Sequence, residues 1–158
     1  MQKKCVPIYE TILKKIGEHP TETNQINSAR DACAFVRALL MEKTREEFIV
    51  VMLDPQCGVM GIEVVHRGTP CGCDIFIPNV LTPAILSNSN KILVAHNHPT
   101  GQATEITSAD IETTGRLFKA CKIFGIDFVD HIVVDSNGDA VSISEVLSGK
   151  DSAVSTTC

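Results

Sequence analysis

The stretch Lys91-Ile92-Leu93-Val94-Ala95-His96-Asn97-His98-Pro99 constrains this chain more than any other. Its first five residues lean apolar and read as a short buried strand, which Pro99 must end because it has no amide hydrogen to donate. Alternate residues of a strand share a face, so His96 and His98 point one way and Asn97 the other. Two imidazoles on one face can converge on a single cation, and neutral imidazole nitrogen is a preferred zinc ligand at about 2.0–2.1 Å. By itself the pair is a weak signal, because two loop histidines arise without any ion between them. A third donor strengthens it. Asp110 falls in the first turn of the helix that follows, where its carboxylate can swing back over the strand end. Three protein ligands with an open fourth position describe a catalytic zinc site, in which water loses a proton near neutral pH. Thr107-x-x-Asp110 equally fits a capping box, which needs no metal.

The pattern on either side is that of one α/β domain. Ile8, Ile12 and Ile16 recur four apart, so the spacing predicts a short amphipathic helix over Pro7–Ile16, closed by Gly17. A polar linker containing Pro20 follows. Ser28 is an N-cap for a helix to about Glu42 with Ala32, Phe35, Val36, Leu39 and Leu40 on one face. Phe48–Leu53 and Val59–His66 read as strands joined by the turn Asp54-Pro55-Gln56-Cys57-Gly58. A short strand is expected over Cys73–Ile77, and Pro78 opens a helix through Leu86. Residues 108–124 form a helix ended by Gly125, which carries Asp110. Ile126–Asp135 and Asp139–Ile143 are strands about Ser136-Asn137-Gly138, and His131 in the first of them could back a metal ligand but reads more readily as a structural or surface histidine.

His96-Asn97-His98-Pro99-Thr100-Gly101, with Thr107-Ser108-Ala109-Asp110-Ile111, resembles the metal signature of the JAMM or MPN domain, in its bacterial RadC-like branch. The likeness extends upstream through Glu47–Asp54, Gly68-Thr69 and Ile77-Pro78. Downstream it takes in Leu117, Gly125-Ile126, Asp130–Val134 and Val141-Ser142. It divides the chain into an N-terminal helix and linker (1–27), the RadC-like domain (28–147) and a frayed tail (148–158).

The resemblance implies an MPN-type (cytidine-deaminase-like) α/β fold with a mixed, largely antiparallel sheet flanked by helices. It also implies a zinc-dependent hydrolase that uses metal-activated water on a peptide or isopeptide bond, with a protein or peptide substrate. Zinc would sit on His96, His98 and Asp110. Family members carry a strand-borne glutamate upstream of the histidines as general base, and Glu63 matches that place best. Without the resemblance Glu63 is an exposed carboxylate on a half-solvated strand. The serine that supports the oxyanion in the family is Thr107 here, with Ser108 as the neighbouring alternative. Two further departures stand out: eleven residues separate His98 from Asp110 where the family has ten, and Asn79 follows Pro78 where arginine is usual. The wider family also includes non-catalytic MPN-type interaction modules, and RadC-like proteins are labelled as DNA repair factors.

Composition narrows these alternatives. The 158 residues, 44% hydrophobic and 21% charged, are enough for one globular core. A net charge of -5 disfavours tight nucleic-acid binding. No apolar run approaches the roughly 18–20 residues of a membrane span, and the basic start lacks a signal peptide's apolar core, so a cytoplasmic protein is expected. Seven scattered cysteines read as reduced thiols, and Cys71-x-Cys73 has no second pair at zinc-ribbon spacing. Nothing in the residues sets an oligomeric state.

Overall fold

The computed structural model describes residues 6–68, 75–100 and 106–149. In chain order these form α1 (Ala29–Leu40), β1 (Glu47–Leu53), β2 (Val59–Arg67), α2 (Ile77–Leu86) and β3 (Lys91–His98). They continue with α3 (Ser108–Phe124), β4 (Asp127–Asp135), β5 (Ala140–Ser142) and α4 (Ile143–Leu147). The strands make a single sheet in the order β2-β1-β3-β4-β5. Only β3 and β4 run parallel, joined through α3, and the remaining pairs are antiparallel, so the sheet is mixed and largely antiparallel.

The two central strands are apolar on both faces because helices cover both. On one face Ile49, Val51, Leu53, Leu93 and Ala95 pack against Phe35, Val36 and Leu40 of α1. On the other, Phe48, Val50, Ile92 and Val94 meet Val80, Leu81 and Ala84 of α2 and Leu117 and Cys121 of α3. Burying each such side chain contributes about 1.5–3 kcal/mol, which fixes the register of β1 against β3 and hence the height of the histidines.

Local signals set the ends of the elements. Ser28 caps α1 by accepting from the Asp31 amide, and Gly125 ends α3 in the left-handed region at φ 68°. The β5 strand is shorter than the Asp139–Ile143 expected, because the Ser142 hydroxyl accepts from the Glu145 amide and turns the chain into α4. Ile77 opens α2, with Pro78 in its first turn, where a strand end was expected. The expected helix at Pro7–Ile16 does not form. Ile8, Ile12 and Ile16 are 96%, 73% and 94% exposed, and an isolated helix under about 12–15 residues is marginal in water without a surface to bury its stripe. The segment becomes pinned only where Asn24 and Ile26 bond to Val59 and Cys57 across the β1–β2 turn. The Cys71-x-Cys73 pair, the loop 101–105 that holds the extra residue, and the tail from Lys150 onward lie outside the described residues. Among the described residues no helix is long and apolar enough to cross a membrane.

Candidate metal centre

The centre forms where β3 ends and α3 begins. Pleat alternation sends His96 and His98 to the α3 face of the sheet and Asn97 to the α1 face. Asn97 is buried there, donating to the carbonyls of Lys43 (3.3 Å) and Arg45 (3.0 Å) and accepting from the Glu47 amide at 2.8 Å. On α3 the spacing Asp110, Thr114, Leu117, Cys121 makes one stripe toward the sheet, and the last three are buried. Asp110, one turn above Thr114, is thereby carried over the end of β3.

The side chains converge. His96 Nε2 lies 3.0 Å from His98 Nε2 and 3.1 Å from Asp110 Oδ1, and His98 Nε2 lies 4.0 Å from Asp110 Oδ2. Zinc bonds of about 2.0–2.1 Å in a tetrahedron separate donor atoms by roughly 3.3 Å, which these spacings bracket. Among the described residues, His96, His98 and Asp110 form a group that can hold a metal ion, their ligand atoms all within 4.8 Å of one another. The nitrogen and oxygen donors suit zinc.

Asp110 serves the capping box and the candidate metal group at once. Its Oδ2 accepts from the Thr107 hydroxyl (2.6 Å) and amide (2.8 Å), while its own amide donates to Thr107 Oγ1 at 3.2 Å. Oδ1 is left facing His96. Burial alone would raise the Asp110 carboxyl, but the hydrogen bond and charge of His96, then the two bonds from Thr107, outweigh it and hold the group well below the usual carboxylate range.

A second layer lies behind His96. His131 is fully buried, its Nε2 2.8 Å from His96 Nδ1 and its Nδ1 2.7 Å from the Thr114 hydroxyl. Burial first, then the charge of His96, lowers its pKa well below the ordinary histidine value, with Asp110 opposing and His98 reinforcing. Of the two readings of His131, as a partner behind a ligand or as a structural or surface histidine, the structure shows it buried directly against His96. One signal was available: Asp130 and His131 interrupt a β-prone run just ahead of Ile132-Val133-Val134. Phe48 completes the floor, stacked on His96 at 5.9 Å and edge-on to His131 at 5.3 Å.

A sequence profile of the RadC-like JAB domain matches residues 26–149. The chain belongs to the RadC-like JAB domain family. It is 30% identical over 151 residues to a UPF0758 protein of Staphylococcus haemolyticus, covering 90% of this chain and 66% of that one. It is 36% identical over 125 residues to a UPF0758 protein of Staphylococcus carnosus (79% and 54% covered) and 37% over 111 residues to one of Cellvibrio japonicus (70% and 49%). This chain thus spans about half to two thirds of the length of these relatives.

Within this RadC-like JAB domain the other expected site residues stand apart from the histidines in different ways. Glu63 is exposed on the edge strand β2, opposite Val50, whereas His96 is opposite Phe48 across β1. Two strand spacings and a two-residue offset separate the Glu63 and His96 backbones by roughly 12 Å. Thr107 and Ser108 are exposed at the α3 N-terminus, Thr107 as the N-cap and Ser108 as the first helical residue. The sequence reading gave no role to Glu47, the first residue of β1, whose amide bonds to Asn97 between the two histidines. Its carboxylate pairs with Arg67 Nε at 2.9 Å and Lys43 Nζ at 4.0 Å. A pair of acids, Glu46 and Glu47, just ahead of an apolar strand was the available signal.

Proposed function

We propose that this domain is a zinc-dependent hydrolase of peptide or isopeptide bonds. The observation that carries the reading is the convergence of His96 Nε2, His98 Nε2 and Asp110 Oδ1 at one strand end. When bound there, zinc supplies Lewis acidity, polarising a carbonyl and acidifying water. The chain supplies the rest. Thr107 orients Asp110, His131 backs His96, and the Phe48 ring keeps one side of the site apolar, which strengthens charge interactions inside it.

Proton handling is assigned by weighing two carboxylates. Glu63 shares the histidines' sheet face but sits two strands away and two residues too low. Glu47 is level with Asn97 and, by pleat alternation, shares its α1 face, but as the first residue of β1 it stands at the strand end beside the histidines, its carboxylate paired with Arg67 and Lys43. Glu47 at that end has only to swing from its ion pairs, whereas roughly 12 Å separates the Glu63 and His96 backbones. Glu47 is therefore the better base, and Glu63 the residue it displaces. For the oxyanion, the Thr107 hydroxyl hydrogen is spent on Asp110, which leaves Ser108, one residue on, as the better donor.

Purified protein should carry stoichiometric zinc by elemental analysis and lose it in His96→Ala. On peptide and isopeptide substrates, Glu47→Gln should lose at least about a hundredfold in rate, with Glu63→Gln near wild type. A well-folded protein that takes up no zinc sinks the proposal. The Arg67–Glu47 ion pair favours a second reading, a zinc-bearing interaction module without turnover. Stoichiometric zinc with no hydrolysis of any such substrate would establish that one instead.

A further inference from the structure

We propose that Cys57 and Lys91 form an oxidant-responsive pair. Hydrogen peroxide converts the Cys57 thiol to a sulfenic acid, and the Lys91 amine then condenses with it to a sulfenamide that ties the β1–β2 turn to the start of β3. The pair stands at the end of β3 opposite to His96 and His98, and the proposal does not depend on the metal reading.

The two groups are 34 residues apart in the chain, and the fold brings Lys91 Nζ to 3.3 Å from Cys57 Sγ. Backbone bonds hold both ends of this contact. Asp54 Oδ1 accepts from the amides of Gln56 and Gly58, both at 2.8 Å, and the Cys57 amide donates to the Asp54 carbonyl at 3.0 Å. The turn so closed keeps Cys57 at φ 64°, in the left-handed region that favours glycine or asparagine. Lys91 pairs with Leu53, the residue just before Asp54, so its backbone lies beside the turn. Both residues are half-buried. Among the described residues the thiol is the one hydrogen-bond partner of the Lys91 ammonium, and no carboxylate stands within ion-pair distance of it. The other described cysteines differ: burial pushes Cys33 up to about 12 and Cys121 up to about 11, which keeps both as unreactive thiols.

The chemistry balances with peroxide as the single oxidant. The Cys57 thiolate attacks one peroxide oxygen, the O–O bond breaks and hydroxide leaves, so sulfur loses two electrons and becomes the sulfenic acid. Lys91, having released one proton to solvent, attacks that sulfur through its nitrogen. An S–N bond forms, the S–O bond breaks, and the oxygen departs as water with a proton from nitrogen. One thiol, one ammonium and one peroxide thus give one sulfenamide, two waters and one proton. A thiol reductant reverses the link, because its thiolate attacks Cys57 sulfur and expels the amine. The link restricts the unfolded chain as a disulfide does. It also fastens the point where the N-terminal segment is pinned, since the Cys57 carbonyl accepts from the Ile26 amide at 3.0 Å.

The test treats the full chain with hydrogen peroxide and maps its tryptic peptides by mass spectrometry without reductant. Wild type should yield a peptide pair joined through Cys57 and Lys91, lighter than its separate halves by about two hydrogens, with no cleavage after Lys91. Dithiothreitol should release the pair, and the linked protein should melt at a higher Tm than the reduced protein. Lys91→Arg keeps a cation but no nucleophilic amine, so the link should vanish and Cys57 should go on to sulfinic acid. Cys57→Ser should leave cleavage after Lys91 unchanged by peroxide. Wild-type Cys57 found only as sulfinic acid, or in a disulfide with another cysteine while Lys91 stays unmodified, would overturn the proposal. So would a link that retains the peroxide oxygen, or one that forms as readily in guanidinium, where the fold no longer brings the groups together. Should Lys91→Arg fail to fold, the wild-type map alone decides.

Discussion

Thr107 holds Asp110 by one oxygen and leaves the other for His96: Oδ2 accepts the hydroxyl and amide of Thr107 at 2.6 and 2.8 Å, while Oδ1 stands 3.1 Å from His96 Nε2. A helix cap thus also orients a candidate metal ligand. Thr107→Ala should cost about 0.5–2 kcal/mol of stability through the lost cap and about 10–100-fold in zinc affinity through the freed carboxylate. Thr107→Ser should retain both. Urea unfolding of metal-free protein measures the first effect and chelator competition the second.

Asn97, between the two histidines, ties the chain entering β1 to β3. It is buried, and its amide serves two carbonyls and one backbone N–H. Asn97→Ala would strand those groups, and each buried polar group left unpaired costs about 1–3 kcal/mol. We expect a loss of at least about 2 kcal/mol by urea unfolding. Amide exchange should also quicken at Glu47, because its N–H loses its acceptor. An unchanged exchange rate at Glu47 would show that the bond does not hold the strand.

Much of this was legible in the sequence because it rests on short-range rules. The strand Lys91–His98, the helix from Thr107 and the turn at Gly125 follow from periodicity, capping and glycine's tolerance of positive φ, and together they placed His96, His98 and Asp110 on one strand end. What the sequence did not disclose depends on pairing between distant elements. That His131 lies behind His96 follows from the parallel register of β3 with β4, where Val94 is opposite His131. That Glu63 sits low and Glu47 level follows from the register of β1 with its two neighbours. The missing N-terminal helix has the same origin: Ile8, Ile12 and Ile16 keep helical spacing, but among the described residues no surface covers them, and periodicity alone does not supply one.

Zinc should stabilise the fold by mass action, because His96, His98 and Asp110 meet only in the folded chain. At about 100 times its Kd the gain is about 2.7 kcal/mol, which raises Tm by about 5–10 °C in a domain of this size. Differential scanning fluorimetry with zinc added and then removed by chelator reads the shift. His98→Ala should abolish it, and a shift that survives in His98→Ala would place the ion elsewhere.

The buried thiols give a dependence on alkaline pH. Burial first, then the charges of Asp130 and Glu145, pushes the Cys33 thiol up to about 12, and burial pushes Cys121 up to about 11. Thiolate is the reactive form, so at pH 8 iodoacetamide should leave Cys33 and Cys121 unmodified in folded protein, while both react in guanidinium, as peptide mass spectrometry can follow. The sign for stability follows from the same shift. Both folded values lie above the ordinary thiol value of 9.0, so the folded chain holds these protons after the unfolded chain has released them. Their contribution is complete below about pH 9 and is lost as pH rises through about 11 and 12. In Cys33→Ala the fall in urea midpoint above pH 9 should be shallower than in wild type. Equal slopes would mean that the Cys33 thiol titrates alike in the two states.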